Sequence, residues 1–158
     1  MKQSFLIVSI TFLLAIYSHA ADQPKTLTTK EDVRNAILVF HQDPLSPRGR
    51  AAGEFVRRYA EKSTDVLLTI TPKLTPFLTN IRLPERDRSL LLAAYIIGNV
   101  DSQLLHNEKK DDPYSGVLEL IETYRQMQKR NAAVILPEIE NFIELEKRGE
   151  LKKYVVSP

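Results

Sequence analysis

Cysteine and tryptophan are absent from this chain of 158 residues. Without cysteine the chain forms no disulfide bond, binds no metal through thiolates and uses no thiol as a nucleophile. Glycine is scarce, with five residues, which excludes a collagen-like or linker-dominated chain. A large excess of one charge is also missing, because 22 Lys and Arg face 20 Asp and Glu. Nucleic-acid-binding proteins typically carry a strong basic field, so we expect no nucleic acid among the partners.

The first twenty residues have the three-part organisation of a secretory signal peptide. Lys2 supplies a positive charge, residues 5–17 form an uncharged and mostly apolar run, and Ser18 and Ala20 place small residues before a cleavage site. This run is shorter than the roughly 20 apolar residues that cross a membrane. We therefore favour a signal peptide over residues 1–20, cleaved after Ala20, rather than a retained anchor. The sequence predicts an exported, soluble product in the periplasm or outside the cell, with no membrane span after cleavage.

Residues 21–28 are polar, contain Pro24 and show no periodicity, so we expect a flexible spacer there. Over residues 29–158 apolar side chains recur at helical spacing, which predicts one all-helical globular domain. N-cap residues or an opening proline mark five helix starts. These lie at Thr29, Ser46, Pro84, Asp112 and Pro137.

The longest helical pattern covers residues 85–106, and residues 90–97 within it are apolar on every side. A helix without a polar face must be surrounded, so this segment is predicted to be a central buried helix. We find no internal repeat, and the fold class that follows is all-α, a single compact bundle of five to six helices. Residues 64–78 are ambiguous between a helix and an extended segment. We favour a helix, because no second strand is present to pair with an isolated one.

Polar residues follow the apolar part of the predicted central helix. Gly98 interrupts it at a position where glycine costs about 1 kcal/mol relative to alanine. We interpret Gly98 as a site of close approach by another backbone, and Asn99 and Gln103 as internally hydrogen-bonded amides. The alternative is a binding cluster, formed by Gly98, Asn99, Asp101, Gln103 and Tyr114.

Motifs for catalysis, cofactors and metals are missing, so we predict no catalytic residue, no cofactor and no metal site. The histidines beyond the predicted leader, His41 and His106, are isolated at helix ends and are expected to be solvated. Metal sites usually need three or four protein ligands. Carboxylates for glycoside cleavage are available, but nothing selects a pair of them. They are Glu54, Glu61, Asp101, Glu119 and Glu122.

The leading hypothesis is an exported, non-enzymatic helical domain that binds a protein partner. It depends on the missing catalytic signatures and on several amphipathic helices that would present rigid surfaces. The first alternative is a small, glycosidase-like hydrolase of the cell envelope that works through carboxylates. The second is a carrier of a small apolar ligand in a cavity beside Gly98. The sequence makes no prediction of the oligomeric state.

Overall fold

The computed structural model describes residues 28–157, and this part of the chain folds into an all-helical bundle. Its six helices are α1 (Lys30–Gln42), α2 (Pro47–Lys62), α3 (Glu85–His106), α4 (Pro113–Arg130), α5 (Pro137–Lys147) and α6 (Leu151–Val156), with a 3-10 turn over Pro76–Thr79. The predicted bundle of five to six helices is confirmed. The predicted signal peptide and all but the last residue of the predicted spacer lie outside the described residues.

Three helix starts are fixed by the caps that the sequence predicts. Thr29 Oγ1 accepts a hydrogen bond from the Asp32 amide at 3.1 Å, and the Asp32 carboxylate accepts one from the Thr29 amide at 2.9 Å. This reciprocal capping box satisfies two backbone donors at the start of α1. Ser46 and Asp112 each accept a hydrogen bond from the backbone amide three residues on, at 2.9 and 3.2 Å. A first-turn proline follows both caps, so α2 and α4 begin where predicted.

Helix α3 is the centre of the bundle. It makes its most extensive contact with α4 and also packs against α1 and α2. Leu91, Tyr95 and Ile97 on α3 have no exposed surface, which agrees with the prediction of a central buried helix. Burying a large apolar side chain contributes roughly 1.5–3 kcal/mol, so α3 organises much of the core. Between residues 28 and 157, no helix is both long enough and apolar enough for a bilayer crossing.

Two glycines let α3 and α4 approach each other closely. A Cβ atom added to Gly98 would collide with the backbone carbonyl oxygen of Ser115. A Cβ atom added to Gly116 would lie 2.8 Å from the backbone carbonyl oxygen of Tyr95. Neither position has room for a side chain, so the interpretation of Gly98 as a close-approach site is confirmed.

The favoured helix within residues 64–78 is wrong. Residues 64–71 form a non-helical segment, here called the strap, and the 3-10 turn follows Pro72. The side-chain amide of Gln103 takes the place of a strand partner: it donates to the Leu67 carbonyl at 2.7 Å and accepts from the Leu67 amide at 2.9 Å. The Tyr95 hydroxyl donates to the Thr69 carbonyl at 3.0 Å. Side chains of α3 therefore satisfy backbone groups for which the sequence offered no partner strand.

Candidate functional site

The five residues of the predicted binding cluster do not form one site. Asn99 and Gln103 are buried and hydrogen-bonded inside the protein. Tyr114 packs against the core. Gly98 and Asp101 line an open groove between α3 and α4, whereas Gln103 borders a different pocket.

Asn99 is the centre of a hydrogen-bond network that fixes the loop between α3 and α4. Its Nδ2 donates to Asp111 Oδ1 at 2.5 Å, and its Oδ1 accepts from Gln103 Nε2 at 2.6 Å and from the Asp112 amide at 3.1 Å. Burial alone would raise the pKa of Asp112, but hydrogen bonds from Ser102 and its neighbours lower it below the ordinary value. Asn99 and Gln103 are thus internally hydrogen-bonded amides, as interpreted from the sequence.

The open groove lies between α3 and α4 and has a volume of about 320 Å³. We call it the α3–α4 groove. Its polar side chains belong to both helices, and two leucines border them. The lining residues are Gly98, Asp101, Ser102, Leu105 and His106 of α3, with Ser115, Leu118 and Glu119 of α4.

Three titratable side chains from three helices interact at this groove. His41 Nε2 of α1 lies 3.2 Å from Glu119 Oε2 of α4. The hydrogen bond to Glu119 raises the pKa of His41, although partial burial opposes the shift. Burial raises the pKa of Asp101 on α3; the charge of Glu119 adds to this shift, and the charges of His41 and Arg34 oppose it. Asp101 has no hydrogen-bond partner for its carboxylate among residues 28–157, and the charges of His41 and Arg34 act on it without direct contact through a hydrogen bond.

The sequence identifies each of these three residues but does not predict that they lie together. Asp101 and Glu119 were two of five equivalent carboxylates, and His41 was expected to be a solvated helix-end residue. His41 does keep 36% of its side chain exposed, but it is also the partner of Glu119. No local signal connects them, because the packing of α1 and α4 against α3 creates the contact. His106 fits the expectation, since it is exposed and its side chain contacts its own helix at the Ser102 carbonyl.

Exposed apolar side chains border the charged part of the groove. Leu105 lines it with 76% of its surface exposed, and Leu118 is partly buried beside it. Leu38 on α1 is 59% exposed and lies one turn before His41, hence on the same side of that helix. The surface thus offers a carboxylate without a hydrogen-bond partner among the described residues, next to apolar side chains.

The arrangement can do two things chemically. It can accept a cationic group at Asp101, or it can transfer a proton through a carboxyl group whose pKa is raised. In the described part of the chain, no three His, Asp or Glu side chains are placed to hold a metal ion. The chain matches no protein-family model, and no curated protein and no solved structure matches it.

Proposed function

We propose that this protein binds a partner protein at the α3–α4 groove, and that the partner inserts a lysine or arginine side chain flanked by an apolar residue. The observation that carries the proposal is the state of Asp101. It is a half-buried carboxylate without a hydrogen-bond partner among the described residues. Partial burial disfavours the ionised form of this carboxylate and raises its pKa, and an incoming cation would favour the ionised form.

Two internal cations, His41 and Arg34, act on Asp101 through their charge but do not hydrogen-bond its carboxylate. Arg34 donates to the Leu104 carbonyl at 3.1 Å instead. His41 is placed against Glu119, at 3.2 Å. Its imidazole carries a full charge only when protonated, whereas a lysine or arginine stays charged at neutral pH. Asp101 is therefore left as the acceptor for an external cation.

The leucines beside Asp101 can contact the apolar stem of the partner's lysine or arginine side chain. A single exposed leucine is ordinary on a protein surface. Here Leu105 and Leu118 line the same groove as the carboxylate. Lysine and arginine have apolar stems that lie along such surfaces while the charged end makes its contact. An apolar residue next to that lysine or arginine in the partner would cover the surface of Leu105 that is still exposed.

The proposed location follows from the predicted leader. Residues 1–20 carry the features of a signal peptide, and these residues lie outside the described part of the chain. We therefore place the partner in the periplasm or outside the cell as part of the same proposal. The described helices carry the binding argument independently of it.

The test uses short peptides that differ in one central residue. The purified protein, labelled with 15N, is titrated with acetylated, amidated Leu-Lys-Leu, Leu-Gln-Leu and Leu-Glu-Leu while amide shifts are followed by NMR. We expect the lysine peptide to shift the amides of Gly98, Leu105 and Glu119 in a saturable way and the glutamate peptide to have no effect. Asp101→Asn should weaken binding by about tenfold, equivalent to about 1.4 kcal/mol.

The matched control is Glu122→Gln, which changes an exposed carboxylate on α4 outside the groove. This variant should bind the lysine peptide as the wild type does. If Asp101→Asn and Glu122→Gln weakened binding equally, the effect would come from the overall charge of the protein and not from the groove. This result would contradict the proposal. Equal binding of the lysine and glutamine peptides would contradict it as well.

One observation favours a second candidate, the carboxylate-based hydrolase of the cell envelope. Two of the five available carboxylates, Asp101 and Glu119, line the same groove, and burial raises the pKa of Asp101. A carboxyl group with a raised pKa is the usual general acid of glycoside cleavage. Purified peptidoglycan should then release reducing sugar with wild-type protein and not with Asp101→Asn or Glu119→Gln. Absence of release by the wild type would reject the hydrolase and leave the binding proposal standing.

A further inference from the structure

A second groove, of about 300 Å³, lies where α2, the first turn of α3 and the end of α4 meet. Three guanidinium groups line it, one from each of these helices. They belong to Arg50, Arg86 and Arg130. We call this place the arginine groove; no residue of it belongs to the α3–α4 groove.

The carboxylates at the arginine groove compensate its charge incompletely. Arg50 and Arg86 both approach the same oxygen of Asp87, at 3.4 and 3.7 Å. Arg130 binds both oxygens of Asp43 at 2.8 Å. Three cations therefore share two carboxylates, and one of those carboxylates is divided between two guanidinium groups at distances too long for strong hydrogen bonds. A net positive charge remains.

Unlike the side chains of the other two arginines, the Arg86 side chain does not connect one helix to another element. Arg50 donates to the Arg86 carbonyl at 3.1 Å and so connects α2 to α3. Arg130 connects α4 to Asp43, which precedes α2. The Arg86 side chain is 76% exposed and makes no side-chain hydrogen bond among the described residues. Its guanidinium donors are available to a ligand.

The rest of the lining is apolar with one amide. Met127 is buried, and Leu45 and Val134 are partly buried against the core. The side chain of Asn131 also lines the groove and supplies an amide group. A ligand that fills the groove would therefore place an anion against the guanidinium groups and an apolar group against Met127. The volume is at the lower end of the range of about 300–1,000 Å³ for small-molecule sites.

We propose that the arginine groove binds a phosphate monoester with a short apolar substituent. Arginine recognises phosphate through paired N–H donors in one plane. A phosphate monoester carries about two negative charges at pH 7 and three acceptor oxygens. It can accept hydrogen bonds from Arg86, Arg50 and Asn131 together, and its charge is nearly twice that of a carboxylate. The apolar substituent lies along the leucine, methionine and valine side chains.

The test is an isothermal titration of the full-length protein with monobutyl phosphate, inorganic phosphate and pentanoate as separate probes. We expect saturable binding of butyl phosphate, binding of inorganic phosphate about tenfold weaker because it lacks the apolar group, and weaker binding of pentanoate. Arg86→Gln should weaken butyl phosphate binding by about fivefold or more. It should leave the far-ultraviolet circular dichroism unchanged, since Arg86 holds no other element in place.

The matched control is Arg58→Gln, which removes an exposed arginine of α2 that is 3.6 Å from Glu54. This variant should bind butyl phosphate as the wild type does. Equal losses for Arg86→Gln and Arg58→Gln would show attraction by general charge and overturn the site. Absence of saturable binding, or pentanoate binding as tightly as butyl phosphate, would overturn the assigned ligand class.

Discussion

Thr123 is a buried residue whose side chain is not fully satisfied. It lies in α4 without exposed surface, and its hydroxyl has no hydrogen-bond partner among residues 28–157. Leaving such a group unpaired costs about 1–3 kcal/mol. Valine has the same shape without the hydroxyl. We therefore expect Thr123→Val to raise the free energy of unfolding by about 1 kcal/mol, measured by urea denaturation.

Thr75 provides the control for that substitution. It is equally inaccessible, but its hydroxyl donates to the Thr71 carbonyl at 2.9 Å. Thr75→Val removes this bond and should lower the free energy of unfolding by about 1 kcal/mol. The two substitutions should thus have opposite signs. Destabilisation by both would mean that the Thr123 hydroxyl is satisfied in solution.

At the scale of elements, the pairing of α3 with α4 depends on a backbone contact. Alanine at position 98 would place its Cβ against the Ser115 carbonyl, which belongs to the backbone and does not rotate away. Overpacking of this kind costs about 1–3 kcal/mol. We expect Gly98→Ala to lower the free energy of unfolding by about 2 kcal/mol, although alanine favours the helix.

Gly53→Ala on α2 is the matched substitution. A Cβ there meets only side-chain atoms, with Ala93 Cβ and Phe40 at 3.1 Å. The gain in helix propensity of about 1 kcal/mol offsets a small adjustment of those side chains. Unfolding free energies of the two variants, measured in the same denaturant, should differ by about 2 kcal/mol. Equal values would show that α3 and α4 can separate without loss.

The contact of α1 with α4 through His41 and Glu119 makes stability depend on pH. The hydrogen bond to Glu119 raises the pKa of His41 in the folded protein above the ordinary value of 6.5. A raised pKa means that the folded state binds the proton more tightly, so the added stability is fully present below pH 6.5 and is lost as pH rises through the folded pKa. The raised pKa of Asp101 acts in the same direction at lower pH.

We therefore expect His41→Gln to lower the unfolding free energy more at pH 6 than at pH 8.5, measured by urea denaturation at both values. The control is His106→Gln, because the hydrogen bonds of His106 among residues 28–157 go to Ser102 of its own helix. That variant should follow the wild-type pH profile. A loss for His41→Gln that is the same at both pH values would show that the pair acts through packing alone.

The elements also show what the sequence can and cannot predict. Helix starts at Thr29, Ser46 and Asp112 are local: a cap and the amide it satisfies are three residues apart, so the sequence reveals them. The strap is not local, because its pairing group is the Gln103 side chain on α3. An extended segment can therefore pair its backbone with a helix side chain and needs no second strand. The association of His41 with Glu119 was hidden for the same reason, since only the packing of the helices creates it.

At the scale of the whole molecule, the net charge of +2 is the sum over surfaces of different charge, two of which carry opposite signs. The α3–α4 groove carries Asp101 and Glu119, whereas the arginine groove carries three guanidinium groups against two carboxylates. Composition averages them and suggests a featureless surface. Once the fold separates the charges, two distinct ligands become reasonable, a cationic side chain at one groove and a phosphate monoester at the other.

The integrity of the bundle depends on its last helix. Helix α6 has six residues, too few to be stable alone in water. It is held against α4 and α5 by Leu151 and Val155, which are almost fully buried. Lys73 also reaches it from the segment after the strap, donating to the Ser157 carbonyl at 2.7 Å. We infer that α6 closes the core as part of a single cooperative unit.

Leu151→Ala should therefore lower the global free energy of unfolding by about 2–5 kcal/mol. Lys153→Ala, which changes an exposed side chain on the same helix, should stay within about 0.5 kcal/mol of the wild type. Guanidinium denaturation followed by far-ultraviolet circular dichroism and by tyrosine fluorescence distinguishes the possibilities, because the chain has six tyrosines and no tryptophan. Coincident transitions that shift together in Leu151→Ala are expected of one cooperative domain. An unchanged main transition, with loss confined to the C-terminal residues, would mean that α6 frays independently and that the core is complete without it.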